Sequence, residues 1–291
     1  MLSALIPTYN YDCTRLVIEL HRQLELAAIN YEIIIANDAS TLYLEEIERL
    51  GTLSHCHIIH LTENIGRARI RNLLADKAQY PYLLFMDCDA IIHLSSFIQT
   101  YLPYCKPNSI VVGGTAYDAN EQNPKYSLRL KYGREREANQ AFKNYFTTFN
   151  FLIDKNLFQS VRFNEQLTNY GHEDSLFGLE IGKKTTIQHV NNPATHNGLD
   201  NNAIFLQKTE QATHNILQLY KEGKYPELIT VSKLLGTYIY LEKKHLIGLT
   251  TLGFRLIKPV ILKNLLGKHP SLFLFDLYKL GHLCAIAHAS K

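Results

Sequence analysis

Four short apolar runs, at residues 2–6, 31–36, 56–61 and 82–86, constrain this chain more than any other feature, because the stretches between them repeat their apolar residues at helical intervals. Runs of that length suit buried strands. Between the first two, Leu16, Val17, Leu20, Leu24, Ala27 and Ala28 form one face of a helix over residues 14–28, with Arg15, Glu19, Arg22 and Glu25 on the other. Parallel neighbours need a crossover, and a helix supplies it, so the repeated strand–helix order predicts an α/β fold with a mostly parallel, doubly wound sheet flanked by helices. Pro7 predicts the end of the first strand, since it cannot donate to a ladder. Asn37-Asp38-Ala39-Ser40 supplies turn and capping chemistry ahead of a helix at about residues 42–50, and another helix follows Gly66.

Ligands of such sheets bind at the carboxyl edge. The fourth run stops there at Asp87-Cys88-Asp89, which offers hard oxygen ligands able to bridge a divalent ion to a diphosphate. Taken alone, the pattern fits solvated turn aspartates equally well. The first strand–helix turn, Pro7-Thr8-Tyr9-Asn10-Tyr11-Asp12, holds no glycine, which excludes the Gly-x-Gly-x-x-Gly and Walker A loops. Phosphates must be held another way.

With 46% hydrophobic and 20% charged residues the chain can build a core, and disorder is excluded. The longest charge-free run, residues 90–105, is 16 residues long and partly polar, short of the roughly 18 a membrane span needs. The first residues lack the basic start of a leader, and the five scattered cysteines never form Cys-x-x-Cys, so reduced thiols and a cytoplasmic location are expected.

Ile6-Pro7-Thr8-Tyr9-Asn10, Asn37-Asp38-Ala39-Ser40, the stretch from Glu63-Asn64-Ile65-Gly66 to Arg71-Asn72, and Phe85-Met86-Asp87-Cys88-Asp89 resemble, in order and spacing, the motifs of family 2 glycosyltransferases. The resemblance covers about residues 1–200. It implies a GT-A (Rossmann-like) fold, a nucleotide-diphosphate sugar donor, Mg²⁺ or Mn²⁺ as cofactor, and transfer with inversion. Matched residue by residue, Pro7, Thr8 and Tyr9 would line the nucleotide pocket, and Asp38 would accept a hydrogen bond from base or ribose, which suits a uracil N–H and hence UDP. A turn or cap role is the alternative for Asp38. Asn64 and Gly66 would let the helix start approach the nucleotide, Arg71 would supply fixed positive charge, and Asp87 and Asp89 would face the diphosphate. Arg67 and Arg69 are expected on a solvated basic face.

Tyr170-Gly171-His172-Glu173-Asp174 resembles the Glu-Asp motif of the inverting family 2 enzymes, and more loosely a stretch of the β-1,4-galactosyltransferase family. It implies Asp174 as catalytic base, with Glu173 orienting it or the acceptor; a charged first helical turn is the alternative. His196, in Asn191-Asn192-Pro193-Ala194-Thr195-His196, is expected to join Asp89 as a metal ligand, as a histidine does in several GT-A families. His189 is expected to be structural, and His55-x-His57-x-x-His60 to be a strand pattern and not a metal site.

Residues 117–144 are polar and charged and suit an insertion over the donor site. A boundary is expected after Asn202, with a catalytic domain over 1–202 and an α-helical C-terminal extension over 203–291, because net charge is −4 through Asn202 and +7 beyond it. Helices are expected at 204–220, 227–241, 246–265 and 271–287. The third is either a basic amphipathic helix lying on a membrane, its stripe interrupted by Pro259, or a layer packed on the catalytic domain, or a homodimer contact. No nucleic-acid motif is present. The resulting expectation is a metal-dependent hexosyl- or N-acetylhexosaminyltransferase that uses a UDP-sugar on a glycan or lipid-linked acceptor in cell-surface polysaccharide biosynthesis, cytoplasmic or peripheral on the inner membrane face. The alternatives are a non-catalytic nucleotide-binding scaffold of a glycan-assembly complex and a nucleotidyltransferase.

Overall fold

The computed structural model describes residues 1–138, 146–167 and 171–289. The chain divides into two compact units: Met1–Asp118 with Arg136–Thr168 and Glu173–Gly198, and Ala119–Glu135 with Asn169–His172 and Leu199–Lys291.

In the first unit, β1 (Leu2–Thr8), β2 (Tyr31–Asn37), β3 (Cys56–His60) and β4 (Tyr82–Met86) are parallel, joined through α1 (Thr14–Ala27), α2 (Leu44–Leu50) and α3 (Arg67–Lys77). After β5 (Ala90–Ile91) and α4 (Phe97–Tyr101) come β6 (Ile110–Val112), β7 (Thr115–Ala116), α5 (Ser127–Tyr132) of the second unit, and β8 (Asn150–Asp154). The unit continues with α6 (Lys155–Gln159), α7 (Glu173–Gly182), β9 (Gln188–His189) and β10 (Ala194–His196). The main sheet has the order β3-β2-β1-β4-β8-β6-β9, and β5-β10-β7 form a small second sheet.

Both faces of the main sheet are covered, as near-continuous apolar strands require. Leu2, Ala4, Ile6, Ile33, Ile35, Leu84 and Met86 pack with Leu16, Val17 and Leu20 of α1. The alternate residues Leu5, Ile34, Ala36, Leu83 and Phe85 pack with Ile70 and Leu74 of α3. On that second face Phe85 stacks on Phe151 at 4.8 Å, and Phe163 stacks on Phe177 at 4.3 Å. This aromatic cluster seats α7 through Phe177, so the residues that open α7 are tied to the sheet's core.

Several sequence expectations need correction. Strand β1 does not stop before Pro7: Pro7 lies in register with Ala36, while the pairing of β1 with β4 ends at Leu5↔Phe85. A missing N–H is tolerated where one side of the strand has left the ladder. The main sheet is mostly parallel, as expected, with β8 running antiparallel to both β4 and β6. Helix α2 starts at Leu44 without a side-chain cap, and the 37–40 turn instead serves neighbouring loops. Within residues 185–190 only Gln188 and His189 pair as a strand, β9.

The second unit contains α8 (Asn202–Glu222), α9 (Leu228–Val231), α10 (Lys233–Lys243), α11 (Ile247–Leu265) and α12 (Leu272–Ala289). Its core joins Leu128, Phe205, Leu206, Phe254, Ile261, Leu265, Phe275 and Tyr278. Asn202 ties α5 to the start of α8, accepting from the Leu128 amide at 2.9 Å and donating to the Pro124 carbonyl at 3.1 Å. Residues 119–135, expected as part of an insertion over the donor site, are therefore built into the helical unit. The end of that stretch, 139–144, and Tyr170 lie outside the described residues. The helix expected over 227–241 divides at Ser232, whose hydroxyl caps α10 through the Leu235 amide. Pro259 leaves α11 unbroken.

Candidate active site

The carboxyl ends of β1, β2 and β4 carry the site, and α3 holds its parts together. Thr8 is buried at the end of β1, its hydroxyl donating to the Tyr11 carbonyl at 3.1 Å, while Tyr9 is exposed. Asn10 has a left-handed φ of 50° and accepts from the amides of Thr41 and Leu42, which fixes the β1 loop against the β2 loop.

Asp38 is buried and accepts from the Ile65 amide at 2.8 Å and the Gly66 amide at 3.2 Å. Burial pushes its carboxyl up, and these two amides partly offset the rise. Asn64 donates to the Asp38 carbonyl at 3.3 Å. Gly66, at φ +82°, turns the chain into α3, a conformation that L side chains rarely adopt. Asn64 and Gly66 line a cavity of about 180 Å³ with Ile65, Ala68, Arg69, Glu165 and Leu167. Asp38 thus acts here on the protein's own backbone, setting the shape of the loop that opens onto this cavity.

The two aspartates of Asp87-Cys88-Asp89 have different partners. Asp87 Oδ1 receives Nη2 of the buried Arg71 at 2.5 Å, and Arg71 Nη1 donates to the Arg67 carbonyl at 3.2 Å. Arg71 was expected to present its charge to a nucleotide; it is committed to Asp87. Asp89 Oδ2 lies 3.1 Å from Nε2 of His196. Burial pushes the Asp89 carboxyl up, but the charge and hydrogen bond of His196, with Arg67 behind them, more than offset it and hold the group below its ordinary value.

The small sheet creates this pair. β10 runs antiparallel to β5 with His196 opposite Ala90, and the Asn197 amide donates to the Asp89 carbonyl at 3.0 Å. Gly198 then passes so close that a Cβ would collide with the Asp89 carboxylate. Beneath it, fully buried Asn150 accepts from the Tyr101 hydroxyl at 2.6 Å and donates to the Asn192 carbonyl at 2.8 Å, which fixes the approach to β10.

Asp89 and His196 supply one carboxylate and one imidazole, a donor set that accepts Mn²⁺ or Mg²⁺ only with further oxygen ligands. Among the described residues no group of three His, Cys, Asp or Glu side chains converges. The pair therefore fits a cation completed by ligands from a bound molecule. His189 lies off this site, half-buried, and desolvation pushes its imidazole down, favouring the neutral ring. His60 contacts Glu48 at 2.8 Å and Asn37 at 3.2 Å.

Glu173 and Asp174 open α7, where the helix dipole favours carboxylates. Desolvation and the neighbouring Glu173 charge push the Asp174 carboxyl up to about 7, against hydrogen bonds from Ser175 and the charge of Arg71. Arg67 Nη1 lies 3.8 Å from Glu173 Oε1. One turn apart on α3, Arg67 and Arg71 thus link the Asp87–Asp89 turn to the Glu173–Asp174 pair. Arg67 is exposed, as expected of a solvated face, and its i, i+4 spacing from Arg71 brings both side chains off the same side of α3.

A sequence model of the family described as Glycosyl transferase family 2 matches residues 3–176, more than half of the chain. The chain belongs to glycosyl transferase family 2. The match takes in Arg67, Arg71, the Asp87–Asp89 turn and the Glu173–Asp174 pair, and stops short of Asn192, His196, Asn197 and Gly198. This family member is 27% identical over 220 residues to the chondroitin synthase of Escherichia coli, covering 62% of this chain and 32% of that protein. It is 27% identical over 165 residues to the teichoic acid poly(glycerol phosphate) polymerase of Staphylococcus epidermidis, covering 53% and 22% respectively. The alignments therefore span a third or less of these curated relatives. Among solved structures, the mannosyltransferase PcManGT of Pyrobaculum calidifontis, in complex with GDP-Man and Mn²⁺, shares the fold with a TM-score of 0.62 at 14% identity, over 98% of this chain and 86% of that one. S. aureus TarS 1-349 gives a TM-score of 0.51 at 16% identity, over 99% and 91%.

Proposed function

We propose that this family 2 glycosyltransferase moves a hexosyl or N-acetylhexosaminyl group, with inversion, from a UDP-sugar to a hydroxyl of a glycan or lipid-linked acceptor in the cytoplasm, during assembly of a cell-surface polysaccharide. The observation that carries the proposal is the α3 linkage: Arg67 and Arg71 join a carboxylate–imidazole pair, suited to a diphosphate-bound cation, to a carboxyl raised toward neutrality. The pathway class rests on the two curated relatives, whose names concern polymers of sugar or glycerol phosphate. A divalent cation is supported by the Asp89–His196 donor set and by Mn²⁺ in PcManGT. Five free cysteines suit a reducing compartment.

Asp174 takes the proton of the acceptor hydroxyl as its oxygen bonds to the anomeric carbon and the bond from that carbon to the diphosphate oxygen breaks. A carboxylate with its pKa near neutrality is a better base for this step than an ordinary aspartate. Glu173 orients the acceptor. Pro7, Thr8 and Tyr9 flank the nucleotide, Asp38 holds the loop carrying Asn64 and Gly66 against it, and Arg67 offers positive charge to the leaving diphosphate. Asp89 and His196 would hold the cation, which when bound neutralises charge on the diphosphate. Asp87 keeps Arg71 in place.

Release of nucleoside diphosphate from UDP-, GDP-, CDP- and dTDP-sugars, with Mn²⁺ and a panel of glycan acceptors, tests the reading. UDP release that disappears in Asp174→Asn, with UDP binding retained, supports it. Pyrophosphate release from nucleoside triphosphates would instead establish a nucleotidyltransferase, and nucleotide binding without any turnover would establish a scaffold.

A further inference from the structure

Helix α11 is apolar around most of its circumference, a composition that needs cover on every side. Within the helical unit only one side is covered: Ile247, Thr251, Phe254, Ile261 and Leu265 are buried, and Phe254, Ile261 and Leu265 pack into the core with Phe275 and Tyr278 of α12. On the opposite side Leu249, Leu252, Leu256 and Val260 return every three or four residues, with exposures between 57% at Leu252 and 74% at Leu256. Phe273, at the start of α12, is 70% exposed as well. Scattered exposed leucines are ordinary, but a continuous stripe along three turns is not.

Charge identifies what covers this stripe. Residues 243–275 contain no Asp or Glu and carry Lys243, Lys244, Arg255, Lys258, Lys263 and Lys268. Of these, Lys243, Lys244, Arg255, Lys263 and Lys268 are exposed. An apolar stripe bordered by cations and free of acids is complementary to an anionic headgroup layer over acyl chains. Against a second copy of the same surface it would place like charges together, as a two-fold contact requires, and that is repulsive. Among the described residues no single helix is long and apolar enough to cross a membrane, and α10 and α11 reach that length and hydropathy only together, as a pair bent by 120°.

We infer that the outward face of α11 docks the protein on an anionic lipid bilayer, the leucine stripe entering the headgroup–acyl boundary and the flanking lysines meeting lipid phosphate. The inference is independent of the donor and of the catalytic assignment. It also gives a physical reason for a glycosyltransferase to retain an unpaired apolar helix: docking brings a lipid-linked acceptor to the same surface.

Co-sedimentation of the full chain with vesicles of phosphatidylcholine alone, and with one third phosphatidylglycerol, tests this directly. Binding should require the anionic lipid and weaken with added salt. The double variant Leu252→Glu/Leu256→Glu should lower it roughly a hundredfold, because two apolar anchors are lost and two repelling charges gained. Both positions are exposed, so the melting temperature should stay at the wild-type value. Lys263→Glu/Lys268→Glu should weaken binding to the anionic vesicles with the leucines intact. Failure of the wild type to bind, or equal binding by the leucine variant, would overturn the inference. So would a wild-type dimer that the leucine variant dissociates while vesicle binding persists, which would give the face to a second copy. Binding to polyglutamate as tight as to vesicles, and lost in the same variant, would give it to an acidic protein and overturn it equally.

Discussion

Replacing Asp174 by Asn separates the cost of an active-site carboxylate from its use. The carboxyl is raised from 3.8 to about 7 by desolvation and by Glu173, a displacement of about three pH units. At about 1.36 kcal/mol per unit, the fold favours the protonated over the ionised form by about 4 kcal/mol at most. Asp174 keeps partial contact with solvent, so about 2 kcal/mol is the more realistic figure. The sign follows from linkage: a group whose folded pKa is raised contributes stability that is complete below its unfolded value, near 4, and lost as pH rises through about 7. Asn carries no charge and has no such loss. Thermal unfolding of the two proteins from pH 5 to pH 8 should therefore show the variant gaining on the wild type by roughly 1–2 kcal/mol across that range, a few degrees in melting temperature. Transfer should meanwhile fall by roughly 10²–10⁴-fold, the usual contribution of a positioned base. A stability difference that does not change with pH, or a variant that loses ground at pH 8, would refute the reasoning.

The wild-type transfer rate should rise with pH up to about 7 and then level, as Asp174 ionises; a rate already flat from pH 5 would remove it as the base. Arg71→Met leaves Asp87 without its partner and should cost about 2–3 kcal/mol in urea unfolding, less than a fully buried pair because Asp87 still meets solvent; an unchanged midpoint would contradict the pairing. His196→Ala should weaken Mn²⁺-dependent nucleotide binding by roughly tenfold or more, seen by titration, while metal-free binding stays unchanged. Gly198→Ala should displace the Asp89 carboxylate, costing roughly 1–3 kcal/mol of stability and weakening the same metal-dependent binding; wild-type values for both would mean that the close approach is relaxed in solution.

The half of the site on parallel strands was legible in the sequence because buried strands announce themselves. The run Tyr82–Met86 ends at Asp87, and β4 ends where expected. The motif residues Asn64 and Gly66 fall at the start of α3, again as expected. Partners set by tertiary contact were not legible. Nothing local says that Asp87 pairs with Arg71, since that pairing depends on α3 presenting Arg71 to the strand end, and the meeting of Asp89 with His196 was expected only through the family resemblance. The small sheet that delivers His196 is built from strands of two or three residues, too short for any period to register. Strand β8 was missed for a related reason: its partners β4 and β6 lie far away in sequence, and its antiparallel direction is fixed by that long-range pairing. Pro7 misled because local chemistry forbids a central-strand proline in general, whereas β1 has left β4 by that point.

In the proposed donor site Asp89 and His196 would hold a cation on a nucleotide diphosphate. Calorimetric titration of UDP into the wild type and Asp89→Ala, each with and without Mn²⁺, tests it most directly. UDP binding should be strengthened by Mn²⁺ in the wild type and be insensitive to Mn²⁺ in the variant; binding that responds to Mn²⁺ equally in both, or no binding by folded wild type, would rule out this donor site.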